Sequence, residues 1–188
     1  MPEVLVPIAN GSEELEAVSI IDILRRAGAS VTIASVHERQ ITASRGTKLV
    51  ADKLIGECVD NTYDLIALPG GLPGAEHLRD SEDLEKLLKR QQQEGRLYAA
   101  ICASPAVVLH HHGLLAGRRA TCAPGYGARL ENLASPKARV VVDGPCVTSV
   151  AAGTAIEFAL KLVELLYDQE KARSLAQHIQ FTQVPQEH

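Results

Sequence analysis

The sequence predicts one α/β domain over residues 1–188, a mostly parallel central sheet sandwiched between helices. Two observations carry that reading. Short apolar runs alternate with amphipathic helical patterns along the chain. Composition is that of a globular protein, 46% hydrophobic and 22% charged, with no repeat, linker or low-complexity stretch to divide it.

Residues 4–9 form the first apolar run, ending in Asn10-Gly11-Ser12, with Ser12 expected to cap a helix over 13–27. That helix places Leu15, Val18, Ile21, Ile23 and Leu24 at its apolar positions, carries Arg25 and Arg26 in its last turn, and stops at Gly28. Residues 31–36 read as a second strand, and 40–52 as a hairpin turning at Ser44-Arg45-Gly46. A buried strand over 63–68 runs into Pro69-Gly70-Gly71-Leu72-Pro73-Gly74, a loop that needs unusual backbone angles. A helix over 81–93 and a strand over 97–101 follow, then a helix with Pro105 in its first turn. Short strands are expected at 120–122, 139–142 and 146–149, helices at 154–166 and 169–178, and a frayed tail.

Composition excludes several functions. A net charge of −4, with lysines and arginines scattered, gives no electrostatic support for nucleic-acid or anionic-membrane binding. No apolar run reaches the length of a membrane span, and Pro7 and Asn10 interrupt any signal-peptide core. None of Cys58, Cys102, Cys122 and Cys146 forms a C-x-x-C pair, so reduced thiols in a cytoplasmic setting are expected. The run His110-His111-His112 makes a poor metal site, because consecutive helical residues point in different directions; no metal is expected.

In parallel sheets, ligands bind beyond the carboxyl ends of the strands, where three loops should converge: 10–16, 69–74 and 102–105. Cys102 sits between a strand and a helix N-terminus, whose free N–H groups favour a thiolate; its alternative reading is a buried structural thiol. Glu16 adjoins Ala17 and Val18 and is a candidate inward carboxyl, kept protonated by burial and donating to sulfur. Glu13 and Glu14 read as surface acids complementing the helix dipole. The Gly70-Gly71 pair is either a plain turn or part of an oxyanion hole completed by the Ala103 N–H. It is neither a phosphate loop nor a dinucleotide fingerprint. Cys122 is a candidate resolving thiol.

The strings Pro7-Ile8-Ala9-Asn10-Gly11-Ser12-Glu13-Glu14-Leu15-Glu16-Ala17, Ala67-Leu68-Pro69-Gly70-Gly71 and Ala99-Ala100-Ile101-Cys102-Ala103-Ser104-Pro105, in this order, resemble the ThiJ/PfpI superfamily, and within it the Parkinson-disease-associated protein deglycase branch. The resemblance runs over about residues 3–178 and takes in Ser44-Arg45-Gly46 and the start of the helix at 154. It implies a flavodoxin-like three-layer α/β sandwich, a homodimer, and no cofactor. It makes Cys102 the oxidisable elbow cysteine, Glu16 its protonated partner, and Gly71 and Ala103 the backbone donors. The activities it implies are glyoxalase chemistry on methylglyoxal, deglycation of early protein adducts, and redox-responsive protection or chaperoning.

Two positions depart from the pattern. Ala123 stands where the branch often carries a histidine, which leaves proton transfer to Glu16 or water. Val150-Ala151-Ala152-Gly153 replaces a loop that commonly begins with arginine or glutamine, removing a charged partner for an acidic group. Ala103 also replaces the histidine of the protease branch, so an adjacent Cys-His dyad is not expected. The sequence thus points first to a cysteine-dependent enzyme acting on reactive dicarbonyls or glycated side chains. The alternative is a non-enzymatic redox sensor in which oxidised Cys102 is the signal.

Overall fold

In the computed structural model, which describes residues 1–182, the chain runs β1 (Glu3–Ile8), α1 (Glu14–Arg26), β2 (Ser30–Ser35), β3 (Gln40–Thr42), β4 (Lys48–Val50), β5 (Lys53–Leu54), β6 (Leu65–Leu68), α2 (Gly74–Arg79), α3 (Glu82–Gln93), β7 (Leu97–Ile101), a π-helix (Pro105–His110), β8 (Val140–Asp143), β9 (Cys146–Ser149), α4 (Ala155–Leu166) and α5 (Gln169–His178). The frayed tail expected from sequence lies outside the described residues from 183 on.

Seven strands form one sheet in the order β5-β2-β1-β6-β7-β9-β8, parallel except for β8, which runs antiparallel to β9. Strands buried on both faces read as continuous apolar runs, which is why β6 and β7 were legible. Side chains alternate across the sheet. Val4, Val6 and Ile8 of β1 join α1, α4 and α5 in one core, while Leu5 joins α2, α3 and the π-helix in the other. The result is a three-layer sandwich. The chain leaves β1 for β2 on one side and returns to β6 on the other, so the strand order reverses between β1 and β6, where a crevice opens beyond their carboxyl ends.

Several expectations change. Ala17, Ile20, Ile21 and Leu24 form the buried stripe of α1 at helical spacing, whereas Leu15 and Val18 are 52% and 47% exposed. Ser12 does not cap α1: its Oγ accepts the Ala9 N–H at 2.9 Å, and Glu13 is the N-cap, accepting the Glu16 N–H at 2.9 Å. The loop after β6 contains a short helix, α2, that glycine and proline had hidden. The expected strand at 120–122 is a single bridge, Ala120 to Leu133. After Cys102 the helix is π rather than α, and it closes at Gly113, φ 73°, with the Leu114 N–H on Leu109 O at 2.9 Å.

Candidate active site

The carboxyl ends of β1, β6 and β7 deliver the three predicted loops to one place. Cys102 follows β7 with a φ of 65°, a left-handed conformation that non-glycine residues seldom adopt and that surrounding contacts must enforce. Those contacts are explicit. The Cys102 N–H donates to Ser149 O at 3.1 Å, the Ala123 N–H donates to Cys102 O at 2.7 Å, and buried Ser104 Oγ donates to Pro69 O at 2.6 Å. The bend therefore locks to the end of β9, to the segment carrying Ala123 and to the loop after β6.

Glu16 enters from the first turn of α1 and is fully buried. Its Oε2 accepts the Gly70 N–H at 2.7 Å. Its Oε1 has no hydrogen-bond partner among the described residues, and the Cys102 thiol adjoins the carboxyl. Burial pushes the Glu16 carboxyl up to about 7, against the Gly70 and Cys102 hydrogen bonds that lower it, and the charge of Glu13 adds to the rise. Burial likewise pushes the Cys102 thiol up to about 12; the charge and hydrogen bond of Glu16 add to this, and the N–H groups of Ala103 and Gly71 oppose it. Near neutral pH these two groups together hold at most one negative charge, and they titrate as a pair.

Glycine is required here by space. A Cβ on Gly70 would lie 2.7 Å from Cys102 Cβ and 3.0 Å from Glu16 Oε2. Gly71 has a φ of 87°, and a Cβ there would lie 2.5 Å from Glu13 N. The two N–H groups have separate partners: Gly70 serves Glu16, while Gly71 and Ala103 face the sulfur. Of the expected glycine pair, then, only Gly71 is a candidate oxyanion donor.

The structure brings Cys102, Glu16, Gly71 and Ala103 together. Cys122 precedes the Ala123 whose N–H bonds Cys102 O, and it is buried with its thiol on Ala123 O at 3.6 Å. His112 lies remote from this cluster, with Nε2–H donating to Arg79 O at 2.9 Å and Nδ1 3.4 Å from Glu85. At the loop where an arginine was missing, Arg139 binds Gly153 O at 3.1 Å, but its guanidinium is paired with Glu157 at 2.7 Å.

Sequence reasoning overlooked the supports. Glu14 is no plain surface acid: its carboxylate takes Ser44 Oγ at 3.0 Å and the N–H groups of Arg45 at 3.0 Å and Thr47 at 3.4 Å. The desolvation that would raise it is outweighed by these donors and its own backbone N–H, leaving it at about 2. Asn10 takes the Thr42 N–H on Oδ1 at 2.8 Å, gives Nδ2–H to Glu38 at 2.9 Å, and accepts His77 Nδ1–H on its backbone oxygen at 2.9 Å. Together they stitch the β3–β4 hairpin to the loop before α1 and to the helix turn that carries Glu16. These bonds join residues about thirty positions apart, or 67 for His77 and Asn10, and no local pattern announces them.

Residues 2–165 match the DJ-1/PfpI family. The chain belongs to that family. It is 50% identical over 176 residues to Protein DJ-1 homolog B of Arabidopsis thaliana, covering 93% of this chain and 40% of that relative. With homolog A at 44% coverage, the chain spans less than half the length of these two Arabidopsis relatives. The Caenorhabditis elegans protein named glutathione-independent glyoxalase DJR-1.2 is 36% identical, with 87% of this chain and 88% of that one covered. Oxidized Toxoplasma gondii DJ-1 superposes with a TM-score of 0.94 at 49% identity, covering 97% of this chain and 100% of that one. The flavodoxin-like α/β fold is thereby that of the DJ-1/PfpI family. No described helix is long and apolar enough to cross a membrane.

Proposed function

We propose that this chain is a cofactor-free, cysteine-dependent enzyme acting on reactive dicarbonyls such as methylglyoxal, with early glycation adducts on protein side chains as a related substrate class. The observation that carries the reading is the buried Glu16 Oε1, which has no hydrogen-bond partner among the described residues and lies by a thiol held in a left-handed bend. As a carboxylate, that oxygen would be an unsatisfied buried acceptor; as a carboxylic acid, its O–H donates to the Cys102 sulfur and stabilises a thiolate.

The Cys102 thiolate attacks the aldehyde carbon to form a hemithioacetal, whose oxyanion faces the Gly71 and Ala103 N–H groups. Glu16 gives its proton to that oxygen, and as a carboxylate removes the proton on the same carbon, leaving an enediolate. Return of that proton from Glu16 to the neighbouring carbon, with the hydroxyl proton passing to the adjacent alkoxide oxygen, gives a thioester, which water hydrolyses to lactate and free thiol. Glu16 carries both transfers because Ala123 offers a methyl where the branch often has an imidazole. The glyoxalase name of the nematode relative supports the same substrate class.

Methylglyoxal and the protein, with glutathione and metal excluded, should yield lactate. Absence of turnover while intact mass shows Cys102 reduced would overturn the enzyme and leave the redox-sensor alternative.

The same reading includes a homodimer. Exposed Val18 on α1 and exposed Val50 line a groove of about 550 Å³ with Ile21, Leu49, Asp22 and Arg25. An apolar surface of this kind is suited to a second copy of itself. Sedimentation should give twice the chain mass, and a monomer at micromolar concentration would exclude the dimer.

A further inference from the structure

Ser104 occupies the N-cap position of the π-helix, directly before Pro105, yet its side chain caps nothing. A serine there ordinarily accepts from the first helical N–H groups. This one is fully buried and gives its Oγ–H to Pro69 O at 2.6 Å, across from the bend after β7 to the loop after β6. A side chain that forgoes its local bond for a distant one is a departure expected where function sets geometry.

The backbone groups of residues 69–71 and 102–103 can be accounted for in turn. In the loop, Pro69 O takes Ser104 Oγ, the Gly70 N–H serves Glu16 Oε2 at 2.7 Å, Gly70 O takes the Glu13 N–H at 2.9 Å, and Gly71 O takes the Ala75 N–H at 2.8 Å. In the bend, the Cys102 N–H and carbonyl are held by Ser149 and Ala123, and Ala103 O takes the Val107 N–H at 2.9 Å. What remains is the N–H of Gly71 and the N–H of Ala103, one from each segment, and both face the sulfur. An oxyanion bound between them needs both donors aimed at one point, so the spacing of the two segments decides whether the pair works. Steric contact fixes how near they come, since a Cβ on Gly70 would lie 2.7 Å from Cys102 Cβ. The Ser104–Pro69 bond fixes how far apart they move. Among the described residues it is the one hydrogen bond joining 69–71 to 102–104, apart from those to the sulfur itself.

We propose that Ser104 is a positioning residue for carbonyl addition at Cys102: its bond to Pro69 O holds the Gly71 N–H in register with the Ala103 N–H, so that both reach the oxygen on which charge develops. The inference rests on Cys102 as the nucleophile proposed above, and it holds for whichever carbonyl compound Cys102 attacks.

The test compares two reactions of the same sulfur. With p-nitrophenyl acetate, the thiolate bonds to the acyl carbon and the carbonyl pair moves to oxygen; its return expels p-nitrophenolate and leaves a thioester. With iodoacetamide, sulfur displaces iodide at a saturated carbon and no oxyanion forms. Both rates are measured at one pH for wild type, Ser104→Ala and Ser104→Thr, with Cys102→Ser as background and a thermal melt for each. A change in thiol exposure, acidity or fold moves both rates together, whereas loss of the donor register moves acylation alone. In Ser104→Ala, acylation should fall about tenfold relative to alkylation, and methylglyoxal kcat by a similar factor with KM little changed. Ser104→Thr keeps the donor and should restore the ratio. A ratio unchanged in Ser104→Ala, or lowered equally in Ser104→Thr, would overturn the proposal. A lowered ratio in a protein whose wild type makes no lactate would sink the dicarbonyl reading while supporting Ser104, and a reduced Cys102 inert to both reagents would end both.

Discussion

Cys102→Ser should lower methylglyoxal turnover by at least about a thousandfold while leaving the melting temperature close to that of the wild type. Serine is nearly the size of cysteine, so the left-handed bend and its bonds to Ser149, Ala123 and Pro69 can persist. What changes is acidity and nucleophilicity. A hydroxyl in this place does not ionise near neutral pH, and the carboxylic acid of Glu16 then has no anion to which it can donate. The Gly71 and Ala103 N–H groups still face the reacting position, so a small residual rate over solution is expected, as when an oxyanion hole works without its nucleophile. Lactate formation measured beside thermal unfolding separates loss of chemistry from loss of fold. Wild-type turnover in Cys102→Ser would end the covalent mechanism, whatever else the site does.

Much of this architecture could be read from the sequence because parallel strands buried on both faces are apolar without alternation, and β6 and β7 have that form. The bend at Cys102 was equally legible, since an apolar strand giving way within a few residues to Pro105 leaves little room for anything but a sharp turn. Glu16 was singled out by its apolar neighbours. Its complete burial follows from the register of α1, which turns Leu15 and Val18 outward. Helical periodicity identifies an apolar stripe; it does not say whether a second apolar surface faces another copy of the chain. The cap was misplaced by one residue because two acceptors compete there, and only the folded loop shows that Ser12 is committed to the Ala9 N–H. The roles of Asn10 and Glu14 depend on backbone donors contributed by the hairpin, and these become their partners only when the chain closes.

The burial of Glu16 should make the protein measurably less stable as pH rises. Its carboxyl is raised from 4.5 to about 7 in the folded state, so between those values the native chain binds a proton that the unfolded chain has released. The sign follows directly. The contribution is fully present below about pH 4.5, declines as pH rises through 7, and above that the buried group is ionised in both states. At about 1.4 kcal/mol per pH unit, the loss across the window is of order 3–4 kcal/mol. Cys102 belongs to the same titrating pair, so the comparison is best made between Cys102→Ser and Cys102→Ser/Glu16→Gln, which removes the thiol from both. Urea unfolding from pH 4.5 to 8 should show stability falling more steeply in the first protein by that amount. Glutamine keeps an acceptor for the Gly70 N–H, so the second protein should unfold with a flatter profile rather than collapse. Parallel profiles would mean that Glu16 is ionised near neutral pH at no energetic cost. The orphaned Oε1 would then require a donor that the described residues do not supply, and the carboxylic-acid role on which the thiolate depends would fall with it.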